Sequence, residues 1–180
     1  MRRKVFVIGM FKTGITSIAQ ALQKLGYRVF RGPWWNGEIQ IDNWNKHPEK
    51  WKMYYDKIDI KVNGHDAFSD YPFMYIYEYL DKKFPDSQFI LTSRNVDSVI
   101  KSTLNQMSKN HKKMAVNEVK EKIKNRYMCH QNMTKIYFAT KKNLLIMNLE
   151  KGDGWQKLCK FLNKSQPSMK FPHENRGVYR

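Results

Sequence analysis

The residues best suited to chemistry lie near the start of the chain, in a loop that follows a short apolar run. Gly9, Gly14 and Thr16 have the spacing of the phosphate-binding loop of NTP-binding proteins, in which backbone N–H groups and a hydroxyl surround an anion. The lysine of that loop should follow the second glycine, but Ile15 holds its position and the lysine of this chain is Lys12. Because Lys12 must approach its ligand from another direction, the loop indicates an anionic nucleotide and argues against ordinary ATP chemistry.

A second group of polar residues follows two other β-rich runs. Arg94 comes after the run Gln88–Thr92, and Ser102 lies eight residues beyond it. Eight residues are about two turns of a helix, so Arg94 and Ser102 can lie on a similar face and hold one phosphate together. Asp70 follows the run Asp66–Ser69. Because ligands of an open parallel sheet bind beyond the carboxyl ends of its strands, these positions are candidate site residues.

Alternating strand and helix patterns must bring these residues together. The β-rich runs are Lys4–Ile8, Tyr27–Phe30, Asp66–Ser69, Gln88–Thr92 and Leu144–Met147. Helical patterns lie between most of them, and they extend from Ile18 to Gly26, from Pro72 to the residue before Phe84, from Asn95 or Asp97 to Met107, from Val116 to Tyr127 and from Trp155 to Leu162. The alternation predicts an α/β fold, a three-layer α/β/α domain with a mostly parallel, about five-stranded sheet of the P-loop type.

The chain is predicted to be a single domain over residues 1–180, because its length suits one buried core. Residues 31–57 break the alternation and contain four of the five tryptophans, so they are predicted to form an insertion or a lid.

No apolar run approaches the roughly 20 residues of a membrane span. The two cysteines, Cys129 and Cys159, have no metal-type spacing. We therefore expect a cytoplasmic protein without a membrane partner.

The charge of the chain is strongly positive, since 33 lysines and arginines outnumber 16 aspartates and glutamates and give a net charge of +17. Such a charge favours polyanionic partners: a nucleotide, a nucleic acid, a sulfated or phosphorylated substrate, or an acidic membrane. No RNP-type aromatic strand, zinc pattern or recognition helix accompanies it, so no specific nucleic acid is expected. The lysines between Lys101 and Lys124 can form a solvated face or attract an acidic acceptor.

The two segments with phosphate-site spacing resemble those of the P-loop sulfotransferases. Lys4–Ser17 looks like the 5′-phosphosulfate loop of that family, in which a Lys-Ser-Gly-Thr-Thr type core follows the first strand and corresponds here to residues 12–16. Arg94–Ser102 resembles the family's 3′-phosphate motif, an arginine and a serine eight residues apart. Two further segments, Asp66–Pro72 and the tail from Leu158 to His173, are similar to a short soluble branch of the superfamily.

The resemblance implies a donor, a reaction and a set of binding residues. The donor is 3′-phosphoadenosine 5′-phosphosulfate (PAPS), which transfers its sulfuryl group to a hydroxyl or amine of a small-molecule or carbohydrate acceptor. The product of the donor is 3′-phosphoadenosine 5′-phosphate (PAP). The reaction requires no metal. The residues implied to bind the donor are Lys12, Thr13, Gly14, Ile15, Thr16, Ser17, Arg94, Ser102 and, in place of the family's basic C-terminal segment, Arg176. Lys12 would also stabilise charge on the leaving oxygen, which makes it a catalytic residue.

Asp70 is the candidate general base. Many cytosolic members of the family have a His-x-Pro step before the phosphate-binding arginine, and this step is Asp70-Tyr71-Pro72 here. A carboxylate is a weak base, but a nearby anionic donor and partial burial both strengthen it. His65 and Asp66 are alternative bases, and capping a helix is the alternative, structural role of Asp70.

Three other functions stay open at this point. A P-loop kinase for a small molecule or nucleoside would need a lysine after Gly14 and a magnesium-holding acid, and Ile15 argues against it. A non-catalytic basic module that binds nucleic acid would explain the charge alone. An inactive sulfotransferase-like protein would bind the nucleotide without turnover.

Overall fold

The computed structural model describes residues 3–32, 64–109 and 116–173. Most of the predicted insertion, residues 33–57, lies outside the described residues, and so does Arg176. The strands of the described chain are Val5–Val7 (β1), Val29–Arg31 (β2), Ala67–Ser69 (β3), Gln88–Thr92 (β4) and Leu144–Met147 (β5). Its α-helices are Ile15–Lys24 (α1), Tyr77–Lys83 (α2), Val96–Lys109 (α3), Val116–Tyr137 (α4) and Trp155–Leu162 (α5), and a 3₁₀ turn covers Leu149–Lys151.

The five strands form one parallel sheet in the order β2-β3-β1-β4-β5. β1 lies at its centre, and Phe6 pairs with Phe68 of β3 on one side and with Phe89 of β4 on the other. A parallel sheet is covered on both faces, which explains why its central strands are apolar at nearly every position rather than at alternate ones. This confirms the predicted α/β class with a five-stranded parallel sheet.

Alternate side chains of the strands enter two separate cores, one on each face of the sheet. Val5 and Val7 pack with residues of α1 and α5, whereas Phe6 packs with α2 and with Phe138 at the end of α4. The ring of Phe6 lies 5.1 Å from that of Phe68, between centroids, and the ring of Phe89 lies 4.9 Å from that of Phe138. Helices therefore cover both faces, which gives the three layers.

Two helix starts refine the predictions from sequence. α3 begins after Asn95, whose side-chain oxygen accepts hydrogen bonds from the N–H groups of Asp97 at 2.9 Å and Ser98 at 3.3 Å, so Asn95 is its cap. The helix expected from Pro72 instead begins at Tyr77 and is preceded by turns. In these turns Phe73 and Met74 are fully buried, each in a different cluster.

No helix among the described residues is both long and apolar enough to cross a bilayer.

The aromatic core predicts that a substitution inside it lowers the free energy of unfolding much more than a substitution on the surface. Phe89→Ala removes a fully buried ring, so we expect the free energy of unfolding to fall by about 3–5 kcal/mol. Ile136→Ala on the exposed face of α4, where Ile136 is 69% exposed, should change it by less than about 0.5 kcal/mol. Urea denaturation followed by circular dichroism measures both. Equal effects of the two substitutions would contradict the assignment of the core.

Candidate functional site

The loop between β1 and α1 lies at the carboxyl edge of the sheet and ends at the start of a helix. Gly14, with a φ of 99°, occupies the N-cap position of α1, and its carbonyl accepts a hydrogen bond from the N–H of Ile18 at 3.1 Å. No side chain of the described residues caps this helix end. A helix start without a side-chain cap is the kind of position at which phosphate groups bind in other proteins.

The side chains of the loop divide into two groups. Thr13, Ile15 and Ser17 are at most 4% exposed, and the Thr13 hydroxyl donates to the Met10 carbonyl at 2.5 Å. The side chains of these three residues therefore face the interior of the protein rather than solvent. Lys12 and Thr16 are half-buried, so their side chains can reach a ligand as well.

Two glycines of the loop lie in close contact with other segments of the chain. Gly9 touches β4, where an added Cβ would lie 1.7 Å from the Thr92 hydroxyl oxygen and 2.8 Å from the Thr92 backbone nitrogen. Gly14 touches the turn after β5, where an added Cβ would lie 2.7 Å from Leu149 Cδ1. Glycine is therefore required at Gly9 by the close approach of a backbone atom, whereas at Gly14 it is favoured by the positive φ.

Arg94 joins the phosphate loop to the end of β4. Its Nη1 donates to the carbonyl of Lys12 at 3.0 Å, although the two residues are 82 positions apart in the sequence. The Tyr127 hydroxyl of α4 holds the backbone of Arg94 from the other side, since it accepts from the Arg94 N–H at 2.9 Å and donates to its carbonyl at 2.7 Å. Burial raises the pKa of Tyr127, so its hydroxyl keeps its proton for this contact.

Glu150, in the 3₁₀ turn after β5, is a site residue that the sequence analysis did not identify. Its Oε1 lies 2.7 Å from Arg94 Nε, and its Oε2 accepts from the N–H of Asn95 at 3.2 Å. Burial alone would raise the pKa of Glu150, but hydrogen bonds from Arg94, Asn95 and Ser98 outweigh it and hold the pKa below its ordinary value. The carboxylate is therefore charged at neutral pH.

The other predicted residues of the 3′-phosphate site are Ser102 and Arg176. Ser102 lies on α3 one helical turn beyond Ser98, on the same side of the helix. It is half-buried. Arg176 lies outside the described residues.

Asp70 follows β3 at the same edge of the sheet, where a second arginine contacts it. Arg31, the last residue of β2, donates from Nε to Asp70 Oδ2 at 3.4 Å and from Nη2 to the Thr16 hydroxyl at 3.1 Å. The Ser69 hydroxyl donates to the same Asp70 oxygen at 3.3 Å. Arg31 thus links the candidate base to the phosphate loop, a role that the sequence analysis did not identify because Arg31 follows the predicted strand Tyr27–Phe30 and belongs to the predicted insertion.

The alternative bases lie at the opposite edge. Asp66 precedes β3 and forms an ion pair with Arg28 at 3.1 Å, and the carbonyl of His65 accepts from the ammonium group of Lys4 at 3.0 Å. Both precede a strand whose carboxyl end faces the loop, so the length of β3 separates them from it. Over the described ranges, no group of three or more His, Cys, Asp or Glu side chains could hold a metal ion.

A cleft of about 370 Å³ opens beside Arg94, between α4 and the turn after β5. Its wall includes Tyr127, Gln131, Lys135 and Lys151. The buried amide of Gln131 donates to the Thr92 carbonyl at 3.1 Å, which ties α4 to the end of β4. Arg94 is therefore bordered by a cleft large enough for part of a nucleotide.

Comparisons with known proteins agree with this architecture. The family model of the sulfotransferase domain matches residues 4–118 and 109–178 of the chain. The crystal structure of a sulfotransferase from Alicyclobacillus acidocaldarius superposes with a TM-score of 0.55 at 17% identity, over 94% of this chain and 86% of that one, and shows the same fold. A deoxyadenosine kinase from M. mycoides with bound dCTP has a TM-score of 0.49 at 13% identity, over 89% of this chain and 97% of the kinase. A search of curated proteins finds no match.

The contact between Gly9 and Thr92 predicts that the loop does not tolerate a methyl group at position 9. Gly9→Ala should lower the free energy of unfolding by about 2 kcal/mol or more, because a backbone atom of β4 blocks the new Cβ. Gly64→Ala is the matched control, since a Cβ there meets nothing within 4 Å. Thermal and urea denaturation measure both variants. If Gly9→Ala is as stable as the control, the close approach of β1 and β4 is wrong.

Proposed function

The chain belongs to the sulfotransferase domain family, and we propose that it transfers the sulfuryl group of PAPS to a hydroxyl or amine of a small-molecule or carbohydrate acceptor by in-line displacement. The observation that carries this proposal is the hydrogen bond from Arg94 Nη1 to the Lys12 carbonyl at 3.0 Å. It brings the residue proposed for the 3′-phosphate into contact with the loop proposed for the 5′-phosphosulfate, which supports binding of both ends of one donor at this edge.

The phosphate loop would hold the 5′-phosphosulfate end of the donor. Backbone N–H groups at the start of α1 supply most of the hydrogen bonds, because the side chains of Thr13, Ile15 and Ser17 are buried. The hydroxyl of Thr16 adds a side-chain contact. This division explains why Ile15 can replace a hydroxyl residue: at that position only the N–H faces the anion.

Arg94 would hold the 3′-phosphate, which distinguishes PAPS and PAP from ADP and ATP. A guanidinium group forms strong charge-assisted hydrogen bonds with phosphate oxygens. The N–H of Asn95 at the start of α3 and the hydroxyls of Ser98 and Ser102 on one side of that helix complete the subsite. Arg176 in the C-terminal tail is proposed to add a further positive charge.

Lys12 and Asp70 would carry the chemical step. The acceptor oxygen or nitrogen forms a bond to sulfur while the bond from sulfur to the 5′-phosphate oxygen breaks, and PAP leaves with the electron pair of that bond. The Lys12 ammonium group stabilises the charge that develops on the leaving oxygen. Asp70 takes the proton of the acceptor, and Arg31 holds its carboxylate beside Thr16 and hence beside the reacting end of the donor.

Binding of PAP tests the donor assignment without knowledge of the acceptor. Calorimetry should show that PAP binds more tightly than 5′-AMP or ADP, and that Arg94→Ala lowers the affinity for PAP about ten- to a hundredfold with little change for 5′-AMP. Arg28→Ala removes the same charge at the opposite edge of the sheet and should leave the preference intact. A preference for ADP with magnesium would favour a kinase instead.

Turnover tests the roles of Lys12 and Asp70. With ³⁵S-labelled PAPS and a panel of phenol, alcohol, sugar and amine acceptors, Lys12→Ala should reduce transfer by about a hundredfold or more, while PAP still binds. Asp70→Asn should abolish transfer with donor affinity largely kept. Lys24→Ala, at the other end of α1, is the control for a lost lysine. Unchanged transfer in Asp70→Asn would exclude it as the base, and PAP binding without transfer by the wild type would indicate an inactive homologue.

A further inference from the structure

Glu150 occupies the anion subsite that we assign to the 3′-phosphate. Its two carboxylate oxygens accept hydrogen bonds from Arg94 Nε at 2.7 Å and from the N–H of Asn95 at 3.2 Å. The hydroxyl of Ser98 contributes a third hydrogen bond. A guanidinium group, a helix N-terminal N–H and a hydroxyl are the donors that suit a phosphate group, and here they bind a carboxylate of the same chain.

The turn that carries Glu150 does not depend on this contact. The side-chain oxygen of Asn148 accepts from the N–H of Lys151 at 3.2 Å, and Asp153 Oδ2 accepts from the N–H of Asn148 at 2.7 Å. Leu149 packs against Gly14 of the phosphate loop. The backbone of the turn is thus held by its own hydrogen bonds, whereas the side chain of Glu150 is 36% exposed and can turn toward solvent.

We propose that Glu150 is a specificity-determining residue that competes with the 3′-phosphate of the nucleotide for Arg94. This inference rests on the proposed function, because it takes Arg94 as the 3′-phosphate ligand. A phosphate group carries nearly two negative charges and three acceptor oxygens, so it can displace a carboxylate that carries one charge. A nucleotide without the 3′-phosphate leaves the pair of Arg94 and Glu150 in place.

The competition has a consequence for both the donor and the product. PAPS and PAP must break the contact between Arg94 and Glu150 in order to bind, so part of the favourable interaction with the 3′-phosphate offsets that loss. When PAP dissociates, the contact forms again. Glu150 therefore weakens the retention of the product, and we expect its effect to lie mainly in the dissociation rate.

Substitution of Glu150 by glutamine tests the proposal. Glu150→Gln keeps the size of the side chain but removes the charge, so PAP should bind roughly fivefold more tightly, the effect of one partly exposed ion pair, while the affinity for 5′-AMP stays the same. Glu118→Gln removes one negative charge from the exposed surface of α4 and controls for the general rise in positive charge. Calorimetry measures the affinities of the wild type and both variants for PAP and for 5′-AMP, and thermal unfolding verifies that both variants are folded.

The outcomes separate this inference from the proposed function. If the wild type prefers PAP to 5′-AMP and Glu150→Gln does not increase the preference, or lowers it, Glu150 is not a competitor and the donor assignment stands. If the wild type shows no preference and Glu150→Gln creates one, the competition is supported and is strong enough to mask the subsite. If neither protein prefers PAP, both the inference and the donor assignment are overturned.

Discussion

The site depends on one constraint, the adjacency of β1 and β4 in a parallel sheet. Because both strands run in the same direction and pair directly, the segments that follow them emerge at the same edge, and Arg94 can donate to the Lys12 carbonyl across 82 positions of sequence. The absence of a side chain at Gly9 lets the two strands approach at Thr92. If β1 and β4 were separated by another strand, about 4.8 Å per strand would be added between the two proposed phosphate subsites.

Along this edge of the sheet, charged residues at the ends of neighbouring strands form ion pairs. Arg31 at the end of β2 pairs with Asp70 after β3, and Arg94 after β4 pairs with Glu150 after β5. The phosphate loop after β1 lies between the two pairs, and it contacts one of them through Thr16 and the other through the Lys12 carbonyl. Each arginine therefore connects an acid to the loop.

The two acids have different neighbours, which suits different roles. Asp70 accepts hydrogen bonds at one oxygen from Arg31 and Ser69. Glu150 uses both of its oxygens, on a guanidinium group and on a helix N-terminus, and its pKa is held below the ordinary value by hydrogen bonds that outweigh burial. A carboxylate bound in this way is a poor proton acceptor and a good counterion, which fits the proposal that Glu150 competes with an anion rather than acts as a base.

The sequence by itself determined the local elements: the strands β4 and β5 to the residue, the helix after the phosphate loop and the start of α3, for which Asn95 was one of two candidate caps. Apolar runs, glycines and caps act over a few residues, so their signals are local. The predicted α/β class follows from the same alternation, and the match to the sulfotransferase domain confirms the predicted family.

Only the tertiary structure decided the strand order, the late start of α2 at Tyr77, the inward orientation of Thr13 and the partners Arg31 and Glu150. Each of these depends on residues far apart in the sequence that meet at one edge of the sheet, as Glu150 and Arg94 do across 56 positions. A single sequence contains no local signal for such a pair, because a glutamate after one strand and an arginine after another are ordinary until the pairing of strands brings them within hydrogen-bond distance.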